Sequence, residues 1–376
     1  MPLKEPRPVR PLPPKPSQPR RGQTKGGAFL ITVGVAAALI GGLLLVFLGT
    51  SFAVLSDRPK PIVLLTIGTA AAPEPPLELP AALRPGDVPV AVMVENHIDS
   101  RPAAGLQRAR VVYEAPAEGG ITRYLAIFSL QDLPARIGPV RSVRPYFAAW
   151  AMQWGAALFH SGGSPAALAQ LRASPLPNID EISSYGRYFW RDNDRARPHN
   201  LYTSDRLIRQ AFDNLGLPQQ VSFTPLPLET NAASRGEAAD AGALVVADDV
   251  DYCAGYRWNT ALRAYERFLG GVVQQTQDGA QLYTRNVLLM VVKANVLDRE
   301  GRLKLELDGE GPLTALVDGR TVEGTWRRRG GTTSYLAADG SSLQFVDGPL
   351  WVTVVTDADA VWLLSEGTDD TMLRCR

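Results

Sequence analysis

Charge disappears from the chain between Gly26 and Ser56, a stretch of roughly 30 residues where about 20 apolar ones suffice to cross a bilayer. Phe29 to Leu48 is the predicted hydrocarbon span. A signal peptide is the rival reading, but its apolar region covers only ~7–15 residues. Ahead of the span, residues 1–25 interleave prolines with Lys4, Arg7, Arg10, Lys15, Arg20, Arg21 and Lys25 against Glu5 alone. Such a segment buries no core and is predicted to be disordered. Its basic character places it on the cytoplasmic side by the positive-inside rule. No cysteine lies near the span, so lipid attachment there is excluded. Residues 57–85 follow, with Pro59, Pro61, Pro73, Pro75, Pro76, Pro80 and Pro85, and read as a stiff, extended linker.

From Val88 onward, short apolar runs alternate with helical patterns. Strands are predicted at Val88 to Val94, Arg108 to Tyr113, Ile121 to Leu130 and Ala156 to Phe159. Helices are predicted at Tyr146 to Trp154, with Ser142 as N-cap, and at Pro165 to Arg172, with Ser164 as N-cap and Pro165 in the first position. A third is predicted from Ser204 to Leu215, stopped by Gly216 and Pro218. Residues 218–242 are loose in texture, a linker or a long loop. Beyond them come short β runs: Leu244 to Val246, Tyr256 to Trp258, Tyr265 to Leu269, Val287 to Val292, Leu303 to Leu307, Leu313 to Val317, Thr321 to Trp326 and Trp351 to Val355. Asp-Gly turn signals punctuate them at Asp308, Asp318, Asp339 and Asp347. The expected architecture is an α/β (α+β) domain at 86–217 followed by a mainly β domain at 243–376, behind a transmembrane helix at 26–56.

Composition changes this picture little. The 45% apolar content suffices for buried cores, and a formal charge of +1 over 376 residues gives no electrostatic case for nucleic acid. Two cysteines, Cys253 and Cys375, are too far apart for a metal-site spacing. They form one disulfide in an oxidising compartment, or remain a buried thiol and a loose C-terminal one.

Candidate chemistry concentrates in the first globular half. Arg136 to Tyr146 carries a Gly-Pro break followed by Arg141 and Arg144, placed at a helix start whose free N–H groups also favour anions. Surface arginines bridging to carboxylates are the plainer alternative. All three histidines, His97, His160 and His199, lie in this half, at strand ends or in polar loops. A three-histidine zinc site would rest on their number alone, so no metal is assigned. The Asp192 to Asn200 stretch lacks the spacing of a calcium loop. Glu95, Glu114 and Glu118 end or flank strands, where an α/β sheet gathers its ligands. The candidate ligand-binding set is Glu95, Asn96, Glu114, Glu118, Arg123, Arg141, Arg144, His160, Arg195, His199 and Asn200, expected to converge in one cleft; no catalytic residue is assigned. The hairpin at Tyr256–Asn259 and Tyr265–Arg267 reads as polar and without chemistry.

Five separated motifs resemble the YerB-like family of bacterial envelope proteins. They are Ala91–Asn96, Val112–Arg123, Ile137–Ser142, His160–Pro165 and Asp194–Tyr202. Val322 to Trp326 is similar to the signature of that family's C-terminal partner domain. The resemblance spans roughly residues 86–356 and implies an envelope location and an architecture, in a family of unknown function. Its members are typically lipoproteins, from which this chain departs by its predicted transmembrane anchor. A weaker likeness, in order only, links Glu114, Arg141, Arg144 and Gly162–Gly163 to the LytR-CpsA-Psr phosphotransferases.

The leading expectation is therefore a single-pass membrane protein, N-terminus cytoplasmic and globular part extracytoplasmic, that binds an anionic or polar ligand without a cofactor. A phosphotransferase acting on polyprenyl-linked wall precursors is the enzyme alternative, and would recruit Mg²⁺. A module that binds an envelope partner such as a wall hydrolase is the third.

Overall fold

The computed structural model describes residues 78–229, 243–246 and 252–364. The predicted span and its basic flank lie outside the described residues. Among the described residues no helix is long and apolar enough to cross a membrane.

Ten strands form the main sheet. The first half contributes β1 (Pro89–Glu95), β2 (Val111–Pro116), β3 (Thr122–Ser129), β4 (Ala157–His160) and β5 (Asn178–Asp180). The second contributes β6 (Asn286–Val291), β7 (Gly309–Val317), β8 (Arg320–Arg329), β9 (Thr332–Ala337) and β10 (Leu350–Val355). Their order is β9-β8-β7-β6-β10-β2-β3-β1-β4-β5. The mixed α/β first half and the mainly β second half are thus as the patterning predicts, but the two halves do not close separate sheets. β10 lies parallel to β6 on one side and to β2 on the other, and so joins them. A second, six-stranded sheet contains Ala243–Val246, Ala254–Asn259, Ala264–Leu269 and Val361–Leu364. Part of the loose segment also docks: Glu229 N donates to Phe345 O at 2.9 Å, and Phe223 packs on Trp154.

Every position of β1 and β2 is buried, because both sheet faces are covered. Ala91, Met93, Tyr113 and Leu125 pack against helix α1 (Pro145–Gln153) and helix α2 (Pro165–Arg172). Val90, Val92, Tyr124 and Phe128 face helix α3 (Asp205–Leu215) and the second sheet through Ile208, Phe212, Tyr256 and Tyr265. Trp150 of α1 is fully buried and stacks on Tyr113 with centroids 4.7 Å apart. Burying an aromatic of this size removes 150–250 Å² from water, worth about 4–6 kcal/mol at ~25 cal/mol per Å².

The helix starts of α2 and α3 follow the sequence signals: Ser164 accepts from Ala167 N and Ser204 from Leu207 N, each at 3.3 Å. α1 does not. Its N-cap is Arg144, in extended conformation and without a side-chain cap, rather than Ser142. Proline at 145 disfavours helical geometry in the residue before it, so the helix cannot begin earlier. Val143 instead bridges to Gly163, its N–H donating to Gly162 O at 3.0 Å.

Candidate functional site

The loop between β3 and α1 folds back along the end of β1. Glu95 N donates to Pro139 O at 2.8 Å and Arg141 N to Met93 O at 3.0 Å. This return requires Gly138, with φ +146°, where a Cβ would sit 2.8 Å from Leu201 O. The loop in turn receives the short strand Leu201–Tyr202, since Val140 N donates to Leu201 O at 2.6 Å. These pairings carry Arg141 and His199 to Glu95. Arg141 Nε lies 2.8 Å from Glu95 Oε1 as an ion pair, off the line of a hydrogen bond. His199 Nδ1 lies 3.0 Å from Glu95 Oε2, and the Glu95 side chain is 3% exposed.

Strand register places Arg123 opposite Glu95. Arg123 Nη2 donates to Glu118 Oε2 at 2.8 Å and its Nη1 to Ser142 O at 3.0 Å. Arg144 Nε donates to the other oxygen of Glu118, and its Nη1 to Val143 O at 2.7 Å. Burial pulls the Arg123 guanidinium down to about 10, and repulsion from Arg144 and Arg141 adds to this against the Glu118 charge. Burial raises Glu118, but the Arg144 hydrogen bond and the two guanidinium charges outweigh it and hold the carboxyl below its usual value. Glu95, Glu118, Arg123, Arg141, Arg144 and His199 thus gather at one sheet edge, three guanidinium groups against two carboxylates. Among the described residues, both terminal nitrogens of Arg141 and Nη2 of Arg144 have no hydrogen-bond partner.

The other expected members lie elsewhere. Glu114 is on the opposite sheet face, 1% exposed, and pairs with Arg267 at 2.6 Å. It also accepts from Trp351 Nε1 at 3.2 Å and Thr122 Oγ1 at 3.0 Å. Position alternates side chains along β2: Ala115 packs toward α1, so Glu114 cannot. The single-cleft expectation is corrected accordingly. Asn96 turns inward with Glu114, donating to Thr122 Oγ1 at 2.7 Å. His160 is fully buried, its Nδ1 against Gly162 O at 2.8 Å and its Nε2 against the Asn178 side chain. Arg195 donates to Ser100 O at 2.6 Å, Pro102 O at 2.9 Å and Tyr202 Oη at 3.0 Å, bracing two loops. Asn200 donates to Asp192 O at 2.6 Å within its own loop. At Gly162, the amide already donates to Asp180 Oδ1 at 2.6 Å, so the Gly162–Gly163 turn meets a carboxylate of the chain itself. The linear order shared with the phosphotransferases therefore does not become one constellation here.

Two features escaped the sequence reading. Arg267, in the hairpin read as polar, is fully buried; burial lowers it, but the Glu114 charge and Tyr256 outweigh this and raise it above the arginine range. His97 meets His199 across the loops, their rings stacked with centroids 4.7 Å apart, and Asp99 lies beside both. Neither was legible from spacing, because the partners are separated by most of a domain.

A two-sheet α/β body whose first half carries an arginine-lined strand edge, closed by strands of the second half, defines the class. Comparison with known proteins identifies it further. Residues 80–218 match the family described as a protein of unknown function (DUF3048), N-terminal domain, and residues 245–352 match its C-terminal domain. A protein of Bacillus subtilis (strain 168), YerB, named as a candidate lipoprotein, is 32% identical over 274 residues, covering 72% of this chain and 82% of that protein. The crystal structure of YerB from Bacillus subtilis superposes with a TM-score of 0.67 at 31% identity, covering 74% of this chain and 93% of that one. This chain belongs to the YerB-like DUF3048 family.

Proposed function

We propose that this chain is a membrane-tethered, extracytoplasmic envelope protein that holds an anionic ligand at the arginine-lined edge. Kinship with a protein named as a candidate lipoprotein supports the location, and the uncharged Phe29–Leu48 stretch supplies the tether, with residues 1–25 cytoplasmic. The observation that carries the binding reading is the set of guanidinium nitrogens on Arg141 and Arg144 that no group among the described residues satisfies. Arginine presents its donors in a planar fork matched to phosphate and carboxylate oxygens. The uncapped N-terminus of α1, directly behind Arg144, adds free N–H groups and a favourable dipole. The edge carries one more positive than negative group, so an anion completes its charge.

Titration calorimetry of the detergent-solubilised full chain with inorganic pyrophosphate tests this. Arg141→Ala and Arg144→Ala are each expected to weaken binding by about tenfold or more, consistent with ~1.5–3 kcal/mol for hydrogen bonds to charged groups. Unchanged affinity in both variants, or no saturable binding by the parent, overturns the reading.

A further inference from the structure

We propose that His97, Asp99 and His199 form a binding site for a first-row divalent transition ion of the zinc class. The argument begins with lone pairs. His199 Nδ1 lies 3.0 Å from Glu95 Oε2, an acceptor, so Nδ1 holds the proton and Nε2 presents its lone pair. His97 Nδ1 accepts from Asp99 N at 3.2 Å, so its lone pair is on Nδ1, and an ion would take that pair over from this long contact. His97 Nδ1 and His199 Nε2 stand 3.6 and 4.0 Å from Asp99 Oδ2. One ligand atom from each of the three residues lies within 4.8 Å of the others. Three electron-pair donors thus face one another, an arrangement that calls for a cation between them.

The surroundings fit that cation. A ligating histidine characteristically passes its other N–H to a carboxylate, which fixes the ring and raises its basicity. Glu95 does this for His199 and is itself held in place by Arg141. Asp99, 68% exposed, is free to swing the short distance that bond lengths of about 2.0–2.2 Å require. Two imidazoles and one carboxylate are the donor set of zinc and its neighbours; magnesium prefers oxygen alone. Three protein ligands leave a fourth position for water or a ligand atom, as in open rather than structural sites. This proposal does not rest on anion binding at the arginines, although His199, Glu95 and Arg141 belong to both groups.

The test uses the full chain in detergent, stripped with chelator and titrated with ZnCl₂ in competition with a chromophoric chelator. CoCl₂ provides a second readout through its visible absorption. One ion per chain is expected, with binding abolished in a His97→Ala/His199→Ala double variant and weakened about 10–100-fold in Glu95→Gln. Asp99→Asn, an exposed change that leaves the packing alone, is expected to weaken binding and carries the test if the double variant fails to fold. Absence of stoichiometric uptake at micromolar metal overturns the proposal, and so does uptake unaltered by Asp99→Asn. A histidine pair that merely protonates below neutral pH, with no cobalt spectrum, overturns it as well.

Discussion

Replacing Arg267 by methionine isolates the joint between the two sheets. Arg267 Nη2 donates to Glu114 at 2.6 Å, its Nη1 donates to Tyr256 Oη at 2.9 Å, and its guanidinium carbon stands 4.1 Å from the centroid of the Trp351 ring. Methionine keeps most of the stem but leaves Glu114 buried with its charge uncompensated. Removing one partner of a buried pair costs about 3–5 kcal/mol, and the lost contact with Trp351 contributes ~1–2 kcal/mol of this. For a body of this size each kcal/mol moves the thermal midpoint by about 2 °C, so a fall of about 6–10 °C is expected. A double variant, Glu114→Gln with Arg267→Met, is expected to recover part of the loss, because glutamine keeps a carbonyl oxygen for the Thr122 hydroxyl without leaving a buried charge. Thermal denaturation of the parent, both single variants and the double variant completes the cycle. Hydrogen exchange should place the loosening in Ala254–Asn259 and Ala264–Leu269. A loss under about 1 kcal/mol for Arg267→Met, or a double variant no better than the worse single one, refutes the assignment of this pair as the joint.

Further outcomes follow from other contacts. Glu118 titrates below its ordinary value of 4.5 in the folded chain. The stability it supplies is therefore present above that value and is lost as pH falls through the lower, folded one; Glu118→Gln should flatten the acid limb of a stability–pH profile, and an unchanged slope would discount the pairing. Arg195→Ala takes the donor from the part-buried carbonyl of Ser100 and should cost about 1–3 kcal/mol in urea denaturation, with Arg195→Lys restoring only part because an ammonium lacks the planar fork that spans Ser100 O, Pro102 O and Tyr202 Oη. Cys253 is disulfide-bonded, so thiol labelling under denaturing, non-reducing conditions should find that cysteine blocked; a labelled Cys253 would reject the bridge. Protease added to spheroplasts should cut within residues 57–85 and spare a tag on residue 1; the reverse pattern would invert the topology.

What the sequence made legible was local. Ser164–Pro165 and Ser204 announce their helices because a cap acts on N–H groups three residues away. β1 reads as a strand because an unbroken apolar run suits burial on both faces. An apolar run does not name its neighbours, however, and the sharing of one sheet between halves follows only from β10 pairing with β2 and β6. β9 escaped notice because Thr332–Ala337 is half polar, as befits the sheet's outermost strand. At the site, strand-end logic found Glu95, Glu118, Arg123, Arg141 and Arg144, which local loops bring together. It misplaced Glu114, since an apolar run buried on both faces does not say which alternate positions face α1; Tyr113 and Ala115 do, and Glu114 instead meets the buried Arg267, 153 positions away. Asp99 was passed over because an isolated aspartate in a loop carries no pattern of its own.

The position of β10 has a bearing on synthesis. Leu350–Val355 is made after every other strand of the main sheet, yet it occupies the middle of the ten-stranded order, between β6 and β2. Until it arrives, β2 has a bare hydrogen-bonding edge along a wholly buried strand, and β6 has another. Such edges invite pairing with other chains, and contacts so distant in sequence form slowly. A nascent chain would thus stay incomplete, and in need of protection, until residues 350–355 have been made. Truncating it ahead of residue 350 would remove the keystone rather than a fringe, leaving two half-sheets without the strand whose hydrogen bonds join them.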